Sequence, residues 1–337
     1  EKQISRNSST RCTRTTTSFF LMDKNETVYV AGHKGMVGSA VVRNLEANGH
    51  NNILRATSSE LDLRNQKSVR NFFHAHKPKR VILAAATVGG ILANDTLRGD
   101  FLYNNLQIET NVIQAAKETG VEKLIFLGSS CIYPKEAPQP IKEESLLTGP
   151  LEPTNEPYAV AKIAGIKLCE SFYAQHGCNF YSLMPCNLYG INDNFNLETS
   201  HVLPALLRKF HEAAEKGSPT VEIWGSGTPR REFLFVDDLA SAIVTCLEEI
   251  DASDIYGLGI SQLNIGSGKD MTIKELALSI KEVAGFAGDI SFDSSKPDGT
   301  MSKLMDSSRA SQLGISAKTS LKEGLKFTYE WFKKNKK

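Results

Sequence analysis

Long apolar runs are missing from this 337-residue chain. No stretch approaches the roughly 18–20 consecutive apolar residues that a membrane-spanning helix needs, so the hydrophobic residues belong to a buried core and not to a bilayer. A dominant charge is missing too: 39 Lys and Arg stand against 38 Asp and Glu. There is then no broad basic field of the kind that draws nucleic acid. The six cysteines are Cys12, Cys131, Cys169, Cys178, Cys186 and Cys246. None forms a C-x-x-C pair, and no histidine cluster stands near them at zinc spacing, which excludes a structural zinc site and leaves no metal centre to propose. A reduced, cytoplasmic protein is the simple reading. The length suffices for one large domain or two unequal ones without disulfide support.

Residues 1–21 lack acids after Glu1 and are rich in Ser, Thr and Arg. A transit sequence shares that composition. The absence of a clear amphipathic period favours a disordered tail, or material upstream of Met22. The segment, extended to residue 24, is therefore set apart from the fold.

From Thr27 short apolar strands alternate with helical periods. Strands are expected at Thr27–Ala31, Asn52–Ala56, Val81–Ala86, Lys123–Gly128 and Phe180–Met184. Helices are expected at Met36–Asn48, Gln66–His76, Asp100–Thr119 and Pro157–His176. Pro157 near a first turn and Gly177 after a last one mark the ends of the fourth helix. Near-continuous apolar strands alternating with helices predict an α/β fold, a Rossmann-type doubly wound parallel sheet over residues 25–190. The pattern loosens after about residue 190. Short strands (Val221–Trp224, Glu232–Val236, Leu263–Ile265, Asp289–Phe292) mix with helices (Leu203–Ala213, Asp237–Glu249, Thr272–Ala284, Ser320–Lys334). A smaller C-terminal α/β substrate-binding lobe over 191–337 fits this half, with the chain free to cross between lobes.

The first strand runs into Gly32-His33-Lys34-Gly35-Met36-Val37-Gly38, a G-x-x-G-x-x-G spacing. Gly32 permits a tight turn, Gly35 lets backbone N–H groups reach a pyrophosphate, and Gly38 seats the helix close to the sheet. The helix N-terminus adds partial positive charge. After the second strand, where NAD enzymes place a carboxylate, the chain reads Arg55-Ala56-Thr57-Ser58-Ser59. Two cations, Arg55 and Lys34, with neighbouring hydroxyls suit a ribose 2′-phosphate, so NADP(H) is the expected cofactor. Asp62-Leu63 follows where related folds touch the adenine; a helix N-cap region is an equal reading.

Ser129 follows the fourth strand, where ligands meet a parallel sheet. Tyr158 and Lys162, four apart, share one helix face. An ammonium beside a phenol is expected to lower its pKa by roughly 1–3 units. With the Ser129 hydroxyl on the same carbonyl, the set can pass a proton to oxygen while hydride reaches carbon. On its own, Tyr-x-x-x-Lys also fits a solvated stripe. Joined to the glycine loop and Ser129, it predicts a reductase.

Four motifs carry a resemblance: Ala31–Ser39, Leu127–Pro134, Leu151–Tyr158 and Trp224–Leu234, joined by Ser295-Lys296-Pro297-Asp298-Gly299-Thr300. They resemble the GDP-L-fucose synthase family, within the extended short-chain dehydrogenases, from about Thr27 to near the C-terminus. The resemblance implies a substrate, GDP-4-keto-6-deoxy-D-mannose, that is inverted at C3 and C5 and then reduced at C4 with NADPH. It implies Cys131 as base and His201 as acid beside Ser129, Tyr158 and Lys162. Alone, Cys131 reads as a buried small hydrophobe and His201 as a helix-start histidine. It further implies cofactor contacts at Gly32, Lys34, Gly35, Met36, Val37, Gly38, Arg55, Ser58, Asp62, Leu63, Leu127, Pro185, Asn187, Leu188 and His201, with Tyr158 and Lys162. For the GDP-sugar it implies Asn187, Lys209, Trp224, Arg231, Asp298 and Lys303, and for assembly a homodimer pairing the two long helices. The chain departs from the family in lacking a basic residue near Ser58, in Lys209 for Arg, and in Cys186 for Thr. An NAD-retaining epimerase and a non-catalytic NADP sensor are the competing functions.

Overall fold

The computed structural model describes residues 22–296, 298 and 300–336. The tail expected at 1–21 with Cys12, together with Pro297, Gly299 and Lys337, lies outside the described residues. The first half follows the expected alternation. β1 (Val28–Ala31), α1 (Met36–Ala47), β2 (Ile53–Leu54), α2 (Gln66–His76) and β3 (Arg80–Leu83) are followed by a short α3 (Ile91–Thr96), α4 (Arg98–Glu118), β4 (Lys123–Leu127), α5 (Glu156–His176) and β5 (Phe180–Pro185). β1, β4 and β5 are buried along their whole length, as strands covered on both faces must be. α5 has Pro157 in its first turn and ends at Gly177, whose φ of 68° only glycine takes without strain.

The second half holds β6 (Asn187–Tyr189), α6 (Val202–Lys216), β7 (Thr220–Trp224), β8 (Arg230–Phe235), α7 (Val236–Glu249), α8 (Ala252–Tyr256) and β9 (Leu263–Ile265). β10 (Asp270–Thr272), α9 (Ile273–Ala284), β11 (Asp289–Asp293), α10 (Ser308–Gln312) and α11 (Leu321–Asn335) complete it. α9 and α11 start on capping boxes, Thr272 with Glu275 and Ser320 with Glu323.

Six strands form one parallel sheet in the order β2-β1-β3-β4-β5-β9. α1 packs on α7, while α2 and α5 both pack on α4. The strand order reverses between β1 and β3, which opens a crevice at their carboxyl ends. β10, β8 and β6 make a second sheet, and β11 pairs with β7. Two apolar cores result. The larger includes Val30, Ile125, Ile166, Leu239, Ile243 and Leu263; the smaller joins Tyr189, Leu206, Phe210, Leu276 and Leu325. The chain thus crosses between lobes repeatedly: α7, β9 and Ala310 return to the first core after residue 191, and Tyr189 already belongs to the second.

Candidate active site

The turn after β1 is built on glycine for want of space. Gly32 has φ 85°, and a Cβ there would lie 2.9 Å from the Ala85 backbone at the end of β3. Gly35 caps α1 with no side-chain bond, so the first N–H groups of the helix face outward for an anion. Asn192 Nδ2 donates to the Lys34 carbonyl at 2.7 Å and ties the loop after β6 to this turn. Met36 and Val37 pack partly buried on the core below.

At the end of β2, Lys34 and Arg55 bring positive charge close to His33, whose pKa is lowered by burial and by both cations. Arg55 itself is paired with Glu46 of α1. Ser58 is exposed. Asp62 is held by Arg64 at 2.9 Å, and its carboxyl lies below the usual range through that bond. Leu63 packs against the first core. These residues fit NADP: an uncapped helix start for the pyrophosphate, and cations with hydroxyls where a 2′-phosphate would sit.

Ser129 caps the short turn after β4 and accepts from the Cys131 N–H at 3.4 Å. Leu127 and Pro185 are buried at the ends of β4 and β5. Lys162 Nζ lies 5.8 Å from the Tyr158 ring centre, 4.6 Å from that of Phe126, and 2.9 Å from Glu109 Oε1 on α4. One expectation is corrected here. The spacing predicts a phenol whose pKa Lys162 pulls down. Instead Tyr158 is pushed well above its ordinary value, chiefly by burial, then by the neighbouring charges of Cys131 and Glu109. The Glu109 carboxylate that pairs with Lys162 is thus one of the charges that raise the phenol.

Cys131 is 7% exposed, and burial raises its thiol pKa. Lys303, the Ser129 hydroxyl and Lys162 oppose that rise. Lys303 feels Cys131 and Glu152 in return, and Arg231 adds to the burial that lowers its pKa. Cys131 therefore lies within the fields of both Lys162 and Lys303, the latter from beyond β11. His201 caps α6, keeps an exposed surface, and has a pKa lowered by the protein crowding it, a combination suited to a cleft wall. No hydrogen bond joins its ring to any described residue.

The remaining candidates lie in the second lobe or at its edge. Asn187 Nδ2 donates to the Glu232 carbonyl at 2.9 Å, and Leu188 beside it is half-buried. Arg231 Nη1 donates to the Arg230 and Thr300 carbonyls. Trp224 is 66% exposed, with Lys209 Nζ 5.4 Å and Lys296 Nζ 5.6 Å from its ring centre. Asp298 accepts from Ser226 N at 2.9 Å and Ser226 Oγ at 2.7 Å. Its carboxylate is thus engaged in holding a turn.

Sequence reasoning missed Glu109, Asn105, His33 and Lys296. Asn105, fully buried, donates to the Thr87 and Phe101 carbonyls and accepts from the Thr87 N–H, fixing the loop after β3. Glu109 left a signal: an acid on the apolar face of α4, between Ile108 and Val112.

The profile of the NAD dependent epimerase/dehydratase family matches residues 28–266. A putative GDP-L-fucose synthase of Arabidopsis thaliana is 56% identical over 94% of this chain and 94% of its own length. The GDP-L-fucose synthase of Escherichia coli is 53% identical over 91% of this chain and 97% of its own. Among solved structures, a Campylobacter jejuni GDP-mannoheptose C4 reductase with NADP bound superposes with TM-score 0.85. It has 43% identity and covers 93% of this chain and 99% of its own. Among the described residues no helix is long and apolar enough to cross a membrane.

Proposed function

Because the chain belongs to the NAD dependent epimerase/dehydratase family, we propose that it converts GDP-4-keto-6-deoxy-D-mannose to GDP-L-fucose, inverting C3 and C5 and then reducing C4. The observation that carries this reading is the placement of Cys131 beside Ser129, whose Oγ its N–H reaches at 3.4 Å, with Lys162 and Lys303 both favouring its thiolate. On this reading a proton-accepting thiol and a reductase pair act on one bound sugar.

The C4 ketone acidifies the C–H bonds on either side of it. The Cys131 thiolate takes the proton from carbon as the C–H bond breaks, and the electron pair moves onto the C4 oxygen. Ser129 and Tyr158 hydroxyls hold that oxygen. The His201 imidazolium then gives a proton to the same carbon from the opposite face, and the ketone reforms. Bound NADPH supplies a hydride to C4. Tyr158 Oη gives its proton to the C4 oxygen, and the Lys162 ammonium balances the phenolate left behind.

The glycine turn and the α1 N-terminus hold the pyrophosphate of the cofactor. Lys34 and Ser58 receive its 2′-phosphate, and Arg55 joins them by leaving Glu46. Arg231 and Lys303 take the diphosphate of the sugar nucleotide, while Trp224 with Lys209 faces the base. The first lobe is the cofactor domain, and the second mainly binds substrate. α4 and α5 form the face of a homodimer: Tyr103 is 63% and Val160 42% exposed on them, apolar surface that a two-fold partner would cover. A cytoplasmic location suits the free thiol the inversion needs.

The test is stoichiometry. Incubated with the 4-keto sugar nucleotide, the protein consumes one NADPH per sugar, read at the reduced nicotinamide band, and NMR identifies GDP-L-fucose. Sugar turnover without NADPH loss would make the chain an NAD-retaining epimerase instead.

A further inference from the structure

Glu109 sits 1% exposed on the face of α4 that packs against α5. A buried carboxylate is costly unless paired. Among the described residues its ion-pair partner is Lys162, at 2.9 Å. The approach falls outside hydrogen-bond alignment, and neither carboxylate oxygen has another donor among the described residues. Space for the pair is made by Gly165, one turn further along α5. A Cβ there would come within 2.5 Å of Phe126 Cζ and 3.0 Å of Glu109 Oε2. The titratable groups facing the pair are Tyr158 and Cys169 on α5 and Cys131 after β4.

We infer that Glu109 is a positioning residue for the reduction: its carboxylate holds the Lys162 ammonium aimed along α5 toward Tyr158. The inference rests on the reductase reading above. A simple helix–helix clamp would be served as well by an apolar residue, which α4 supplies at Ile108 and Val112. The carboxylate is retained opposite the one buried cation on α5 that the chemistry uses. Without it, Lys162 would be a buried ammonium with no carboxylate partner among the described residues, and the charge that helps to raise the Tyr158 pKa would be gone.

The experiment uses the full chain. Wild-type NADPH consumption with the 4-keto sugar nucleotide is measured first, so that failure of the reductase reading shows in wild type alone. In Glu109→Gln, the alkaline limb of the pH profile of kcat is expected to move down by about 1–3 units. A second readout needs no cofactor. In protein labelled with ¹³C-lysine, the Lys162 Cε signal, assigned by its loss in Lys162→Met, is expected to move from its wild-type position in Glu109→Gln at fixed neutral pH. Glu109→Asp keeps the charge and guards against a variant that does not fold. It should hold the wild-type limb yet lower kcat about tenfold with little change in KM, because the ammonium is set back from the phenol. An unchanged Lys162 Cε signal in Glu109→Gln, with activity lost equally at every pH, or a wild-type kcat in Glu109→Asp, would overturn the inference.

Discussion

A methyl group on Gly38 would stand 2.1 Å from the Gly32 carbonyl oxygen, so α1 can start where it does only if residue 38 has no side chain. Gly38→Ala must push the phosphate turn away from the helix. NADPH affinity, followed by nicotinamide fluorescence, should fall at least about tenfold. Gly99 in α4 is the control, since nothing lies within 4 Å of a Cβ there. Gly99→Ala should bind NADPH normally and be up to about 1 kcal/mol more stable.

The two halves of the reaction use different protons and should separate by substitution. Tyr158→Phe removes the donor to the C4 oxygen. NADPH oxidation should drop by about 10²–10⁴-fold, while exchange of the C3 and C5 hydrogens with solvent continues, slowed but not lost, with Ser129 alone on the C4 oxygen. Cys131→Ser should do the reverse. Exchange is lost, and reduction proceeds on the uninverted ketone, giving a GDP-6-deoxyhexose that keeps its starting configuration at C3 and C5.

Burial lowers the His201 pKa and raises that of Cys131. The donor is then mostly neutral and the acceptor mostly a thiol at neutral pH, and only the minor, reverse-protonated form inverts the sugar. Exchange without NADPH should therefore follow a broad bell, with its acid limb below the ordinary histidine value and its alkaline limb above the ordinary thiol value. Lys303→Met removes the charge that favours the thiolate, so the alkaline limb should move further up.

How much of this was legible in the sequence depends on range. The Tyr158–Lys162 pair and the glycine turn are local, and their geometry follows from helix period and backbone space. The bounds of α2 were also readable from its helical pattern, Gln66–His76, whereas its left-handed end at Lys77 carries no glycine to announce it. Strand partners were not. Leu263–Ile265 reads as a strand of the second half but pairs with β5 across some eighty residues of sequence. β6 follows β5 after a single residue, Cys186, so the chain changes sheets without any turn signal. The partner of Lys162 was hidden for the same reason: α4 and α5 meet only in three dimensions.

The Asp193 carboxyl is pushed up to about 7 by burial, opposed only by its bond from the Asn194 N–H. Its Oδ2 has no hydrogen-bond partner among the described residues. A carboxyl raised in the folded state contributes stability at low pH that is lost as pH rises through the folded pKa. Asp193→Asn should thus gain little in Tm near pH 4 and a few degrees at pH 8, read by calorimetry. An equal change at both pH values would contradict the assignment.

The central claim is that one cleft performs both proton exchange and reduction, and product labelling in deuterium oxide tests it most directly. With unlabelled NADPH, NMR of the product should show deuterium at C3 and C5 and protium at C4. Protium retained at C3 and C5, or deuterium at C4, would contradict the account.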